Sequence, residues 1–192
     1  MLRVMLIDDE SAARADQLEE ALSSNGFTVV AKLTSTSDLT RQVERLQPDV
    51  IIIDTESPSR DTLEHIVVMG QSKARPIVMF SADHSSDTIQ AAVHAGVSAY
   101  MVDGIDISHI KPIVNAAIAN FNEFQRLKSE LAEASTKLED RKLIERAKGL
   151  LMKKKKMSED EAYHSMRKLA MERNLRLADV AKQLLAVADL LG

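Results

Sequence analysis

Short apolar runs alternate with amphipathic stretches through the first 120 residues. Arg3–Ile7, Phe27–Lys32, Val50–Ile53, Ile77–Phe80 and Ala99–Val102 read as strands, several rich in β-branched residues. Between them, Ser11–Ser24 carries Ala12, Ala15, Leu18, Ala21 and Leu22 at helical spacing and stops at Asn25-Gly26. Asp38–Leu46 predicts a helix ending before Gln47-Pro48. Leu63–Met69 predicts a short one, and Asp87–Ala95 one closed by Gly96. Strands separated by helices imply parallel pairing, with helices on both faces of one sheet. A fifth helix starts near Ser108 and has Pro112 in its first turn, where the missing N–H is harmless. It continues to about Met152.

Along that helix, Phe124, Leu127, Leu131, Ala134 and Leu138 follow a 3-4-3-4 spacing. This is a coiled-coil seam of about two heptads, with Glu123, Arg126, Lys128, Glu130 and Glu133 on the other faces. A long helix with so narrow a seam needs a partner, and a second copy of the chain is the expected one. The alternative is an amphipathic helix packed on its own domain. Ser158 with Glu161 three residues on is a capping box that opens a new helix, ending at Asn174. A last helix runs over about Leu177–Leu191. The fold class expected is therefore an α/β doubly wound, flavodoxin-like, five-stranded parallel sheet, then a long coiled-coil helix, then an all-α three-helix domain. The boundaries are 1–120, 121–140 and 141–192.

Charge sharpens this division. The formal net charge of −4 conceals 12 Lys/Arg against 22 Asp/Glu in residues 1–140, and 13 against 7 in residues 141–192. An acidic front and a basic tail suit a control module joined to a module that binds a polyanion. With no cysteine, disulfides and thiolate metal sites are excluded. No apolar run reaches the length of a membrane span, and MLRVMLIDDE does not read as a secretory signal, so a cytoplasmic protein is expected.

In an open parallel sheet, ligands sit at the carboxyl ends of the strands. Asp8 and Asp9 follow the first strand, Asp54 ends the third and Ser81 the fourth. Clustered carboxylates invite a hard cation such as Mg²⁺, and a carboxylate beside it can attack a phosphoryl donor. The alternative is that these residues only cap strand ends. The stretches LIDDE, PDVIIIDTESPSRDTLE, PIVMFSA and AGVSAYMVDG resemble the receiver domain of bacterial response regulators. The resemblance implies a phosphoacceptor at Asp54, metal binding by Asp8, Asp9 and Asp54, a switch hydroxyl at Ser81 and a switch aromatic at Tyr100. Where receivers usually have Lys-Pro after the last strand, this chain has Asp103-Gly104. Asp103 and Glu56 add negative charge that opposes an incoming phosphoryl dianion, so phosphorylation is expected to be weak or absent.

The segment RKLIERAKGLLMKKKKMSEDEAYHSMRKLAMERNLRLADVAKQLL resembles the ANTAR domain of AmiR/NasT-type antiterminators. That resemblance implies binding of hairpins in transcript leaders, against a competing terminator. The residues suit the chemistry. Arg146, Lys148, Lys153, Arg167, Lys168, Arg173 and Arg176 supply cations for phosphates. Ala147 and Gly149 lack bulk and allow close backbone approach, or else permit tight helix packing. Tyr163 either stacks on an exposed base or belongs to the core or its rim. Lys153–Lys156 is either an RNA contact or a solvated helix end favoured by the dipole. His164 reads as surface. Met152, Met157, Met166 and Met171, at near-helical spacing, read as core filler.

A DNA-binding response regulator is the runner-up. The last helix, LADVAKQLLAVADLL, offers one lysine and little else that reads bases, so DNA is not the expected partner. An enzyme is not expected, because no second catalytic group accompanies the acidic pocket. The likeness is nearest to the nitrate- and nitrite-responsive NasT type. It implies control by a ligand-sensing inhibitory partner, with nitrate or nitrite the sensed molecule and their assimilation genes the target.

Overall fold

The computed structural model describes residues 1–8, 12–34, 38–102 and 109–190. Asp9, Ser11, Asp103, Gly104, Ser108 and Leu191, all used above, lie outside the described residues. Two compact units are present, Met1–Gln125 and Arg126–Gly192.

The first unit holds β1 (Leu2–Asp8), α1 (Ala12–Ser24), β2 (Phe27–Leu33), α2 (Leu39–Leu46), β3 (Val50–Thr55), α3 (Arg60–Lys73), β4 (Ile77–Ser81), α4 (Ser86–Ala95) and β5 (Ala99–Val102). The strands form one sheet in the order β2-β1-β3-β4-β5, and every neighbouring pair is parallel. Strand side chains alternate between faces, and here both faces are apolar. Val4, Leu6, Val50, Ile52, Val78 and Phe80 pack with Leu18 and Leu22 of α1 and with Ile110, Val114 and Ala117. Met5, Ile7, Ile51, Ile53, Ile77 and Met79 pack with Leu39 and Val43 of α2, Ile66 and Met69 of α3 and Ala92 of α4. The expected doubly wound sheet is present, and it explains why the strands read as continuous apolar runs.

Local punctuation matches the sequence at several ends. Asp38 caps α2 by accepting the Arg41 N–H, and Gly96 closes α4 at φ 112°. The third helix is longer than expected. It begins after its cap Ser59 and continues through Gly70 to Lys73. Gly70 weakens helical propensity, and the buried Ile66 and Met69 anchor the turns that lead up to it against the sheet.

The helix α5 runs from Ile110 to Lys155 without interruption. The second unit adds α6 (Glu159–Arg173) and α7 (Leu177–Leu190). Both halves of the predicted capping box form at α6. The Ser158 N–H donates to Glu161 Oε2 at 2.8 Å, and the Glu161 N–H donates to Ser158 Oγ at 3.3 Å. Asn174 ends α6 in the left-handed region at φ 52°, which its short polar side chain tolerates. The three helices close on Ala147, Met166, Ala170, Val180 and Ala181. Among the described residues, no helix is long and apolar enough to cross a membrane.

Candidate functional site

The sheet register assembles the acidic pocket. Asp8 is the last residue of β1 and pairs in register with Asp54 of β3, while Thr55 pairs with Ser81 of β4. Three adjacent strands thus deliver Asp8, Asp54 and Ser81 to one edge, the carboxyl edge, where open α/β sheets take ligands. Asp54 is 0% exposed and Ser81 is 1% exposed. Carboxylates delivered to that edge are the ligand type that a hard cation such as Mg²⁺ takes, and Asp8 and Asp54 are the two of the expected set that the structure describes. Asp9, the third acid of the expected set, lies outside the described residues. Among the described residues, no group of three or more His, Cys, Asp or Glu gathers as a metal centre. Glu56 is exposed, and its contribution inward is a backbone carbonyl.

Both expected switch residues are engaged in local bonds. The Ser81 hydroxyl donates to the Glu56 carbonyl at 2.9 Å and accepts the Asp83 N–H at 3.1 Å. The Tyr100 hydroxyl donates to the Asp83 carbonyl at 3.0 Å. The side chain of Asp83 gathers the rest of the loop. It accepts from the Ser85 N–H at 2.8 Å, from Ser57 Oγ at 2.9 Å and from Thr88 Oγ1 at 3.0 Å. These bonds, the backbone N–H of Ser85 foremost, hold the Asp83 carboxyl below its ordinary range. Sequence reasoning missed Asp83. Its local signal was an acid two residues before the helix cap Ser85. The Ser57 bond spans 26 residues and leaves no such trace.

In the second unit the structure sorts the predicted RNA contacts by exposure and pairing. Arg146, Gly149, Lys153, Arg167, Lys168 and Arg173 are exposed, and Tyr163 is 39% exposed on α6 with its ring edge-on to His164. Ala147 is fully buried in the three-helix core, so its small side chain serves helix packing, the alternative noted above. Lys148 is only 8% exposed, and its Nζ bonds Glu159 at 2.7 Å and Glu145 at 2.9 Å. The hydrogen bond to Glu159, then that to Glu145, raises the Lys148 ammonium above its ordinary value and draws the Glu159 carboxyl below its own. Arg176 grips Asp179 through two bonds of 2.9 and 3.0 Å and reaches Asp140 at 3.6 Å. Lys148 and Arg176 thus tie α5 to the start of α6 and to the start of α7, Lys148 from a buried position and Arg176 from an exposed one.

The methionines divide too. Met166 is buried as expected, whereas Met152 and Met171 are exposed and are not core filler. Their spacing was only near-helical, and the phase of each helix turns these two outward. The four lysines Lys153–Lys156 are all exposed, three of them in the last turn of α5, where positive charge offsets the helix dipole. Lys142, unremarked in the sequence, is exposed on the same helix. The seam residues Phe124, Leu127, Leu131 and Leu138 are all exposed, Leu131 by 71%.

This architecture matches known families at both ends. The response regulator receiver domain matches residues 4–115, and the ANTAR domain matches residues 132–185. The chain belongs to the response regulators that join a receiver domain to an ANTAR domain. Its relatives include the transcriptional regulatory protein PdtaR of Mycobacterium tuberculosis, 34% identical over 183 residues that cover 95% of this chain and 89% of that protein. The nitrate regulatory protein of Klebsiella oxytoca is 38% identical over 88 residues, which are 46% of this chain and 22% of that protein. Among solved structures, a LuxR-family two-component response regulator from Aurantimonas sp. SI85-9A1 shares the fold. Its TM-score is 0.54 at 24% identity, over 62% of this chain and 86% of that one.

Proposed function

We propose that this protein is an RNA-binding transcription antiterminator whose tail engages hairpins in a leader transcript and prevents termination. The observation that carries the reading is the exposed basic surface of the second unit. Arg146, Lys153, Arg167, Lys168 and Arg173 stand in solvent around Gly149 and Tyr163, while Lys148 and Arg176 brace the helices. Cations of this kind neutralise phosphates, and an exposed aromatic offers a stacking face to an unpaired base. The three regions 1–120, 121–140 and 141–192 act as sensor, linker and reader.

In the sensor, Asp54 is the phosphoacceptor position. Mg²⁺ held by Asp8, Asp9 and Asp54 would offset the charge of a phosphoryl donor. A carboxylate oxygen of Asp54 attacks the phosphorus, the bond to the donor's leaving oxygen breaks, and an aspartyl phosphate results. Ser81 and Tyr100 carry the response. Asp103 opposes that reaction, so incubation with acetyl phosphate and Mg²⁺ should label far less than one phosphate per chain. Stoichiometric labelling lost in Asp54→Asn would overturn this expectation.

Control then falls to a ligand-sensing partner that holds the chain inactive. The local similarity to a nitrate regulatory protein supports nitrate or nitrite as the sensed ion and their assimilation genes as targets. A nitrate-binding sensor protein that stays apart from this chain in nitrate-free buffer would exclude the proposed pairing. Release lets the seam Phe124, Leu127, Leu131 and Leu138 pair two chains, so that two tails engage two hairpins and gain from effective concentration.

The deciding experiment compares a two-hairpin leader RNA with a matched DNA duplex across a salt series. Tighter RNA binding that needs both hairpins is expected. Equal or tighter binding to DNA makes the chain a DNA-binding response regulator instead.

A further inference from the structure

Gly149 lies inside α5 and is exposed, a position where glycine costs roughly 0.5–1 kcal/mol of helix stability relative to alanine. Its own fold does not require the missing side chain. A β-carbon placed there meets, among the described residues, no atom within 4 Å beyond its own helical neighbourhood. Its φ is not in the left-handed region either. Intramolecular packing, which explains Ala147, does not explain Gly149.

The surroundings point outward. Lys142, Arg146, Gly149 and Lys153 follow one another at steps of four, three and four residues, which keeps them on one side of a helix. All four are exposed. The acidic side chain of that turn, Glu145, is drawn to Lys148, and Lys148 also holds Glu159. These pairs neutralise the nearest carboxylates and leave a basic stripe with a notch at its centre.

We infer that the Gly149 notch, flanked by Lys142, Arg146 and Lys153, seats the sugar–phosphate backbone of an RNA hairpin against the backbone of α5. The inference rests on the RNA-binding reading above and locates its closest contact. Bare helix backbone lets a ribose or phosphate approach where any side chain would hold it off, and three cations supply the charge complement. A second copy of this chain is the other candidate for a bare helix surface. Here it would set three cations against three more, which disfavours close pairing.

The test uses the full chain with Gly149→Ala. The probe is the RNA hairpin that the parent protein retains best from a pool with randomised loops. The variant gains helix propensity and clashes with nothing of its own, so its Tm should rise by about 2–4 °C. Its affinity for the hairpin should nevertheless fall by about tenfold or more. Separately, Lys142→Gln, Arg146→Gln and Lys153→Gln should each lower the slope of log K against log salt by about 0.7–0.9. Unchanged affinity in Gly149→Ala, with the parent binding normally, overturns the notch while leaving the RNA reading intact. A matching loss of self-association in sedimentation equilibrium assigns Gly149 to a chain–chain contact and overturns it as well. A parent that retains no hairpin overturns both readings.

Discussion

Lys148 and Arg146 sit two residues apart with the same charge and different work. Arg146 is in solvent, whereas Lys148 lies across the α5–α6 contact between Glu145 and Glu159. The pH dependence of that contact has a definite sign. Glu159 is lowered from 4.5, so its contribution is present above 4.5 and is lost as pH falls through its folded value. Lys148 is raised from 10.5, so its contribution is present below 10.5 and is lost as pH rises through its folded value. Lys148→Met keeps the apolar stem and removes the charge. Its thermal midpoint should be lower than the parent's at neutral pH, and the gap should narrow on acidification. A gap that stays constant into acid would mean that the ion pair contributes nothing. The sequence showed the seven tail cations expected to contact phosphate equally. Which ones pair depends on the helix that lies opposite, and Glu159 and Asp140 reveal themselves as partners only once three helices have packed. The acidic pocket was easier to read, because Asp8, Asp54 and Ser81 each end an apolar run and parallel register aligns such ends. Asp83 was not legible, since its bonds to Ser57 and Tyr100 cross between loops and strands distant in sequence.

At the scale of single elements, the ends of helices carry compact chemical signals. The Ser158–Glu161 box satisfies two N–H groups at the start of α6. Ser158→Ala should cost about 0.5–2 kcal/mol in chemical denaturation. A change near zero would mean that water replaces the cap. The box, Gly96, Asn174 and Pro112 were all legible because each acts within one turn. The extent of α3 was not, because its apolar positions mark only Leu63–Met69, while the helix starts earlier, after its cap Ser59, and runs on through Gly70 to Lys73. The exposed seam of α5 gives a second prediction. Leu131→Asp places a charge where two helices are proposed to meet, and Leu131 touches no proposed RNA contact. Affinity for a two-hairpin RNA should drop by about 100-fold or more, with affinity for one hairpin unchanged. Equal losses on both RNAs would break the link between pairing and binding.

For the molecule as a whole, one chain keeps two kinds of core. The first unit buries two apolar faces of a sheet, and the second buries three helices around small residues such as Ala147, Ala170 and Ala181. The charge divides in the same sense, acidic in residues 1–140 and basic beyond. Polyanions are accordingly drawn to the basic part of the chain and repelled by the acidic part.

The exposed stretch of α5 has a consequence of another sort. From Arg126 to Glu139 every position is exposed, and the side-chain support it shows is of the Arg126–Glu130 and Glu133–Lys137 kind. Pairs spaced in this way stabilise a helix by only about 0.2–0.5 kcal/mol each. In a lone chain the amides of this stretch should therefore swap hydrogen for deuterium quickly, while those of β1 and β3 stay shielded. Raising the protein concentration should slow the swap there and nowhere else in the helix. The stretch thus acts as a built-in gauge of how many chains have met, readable peptide by peptide by mass spectrometry. Rates indifferent to concentration would mean that the seam has no partner in solution.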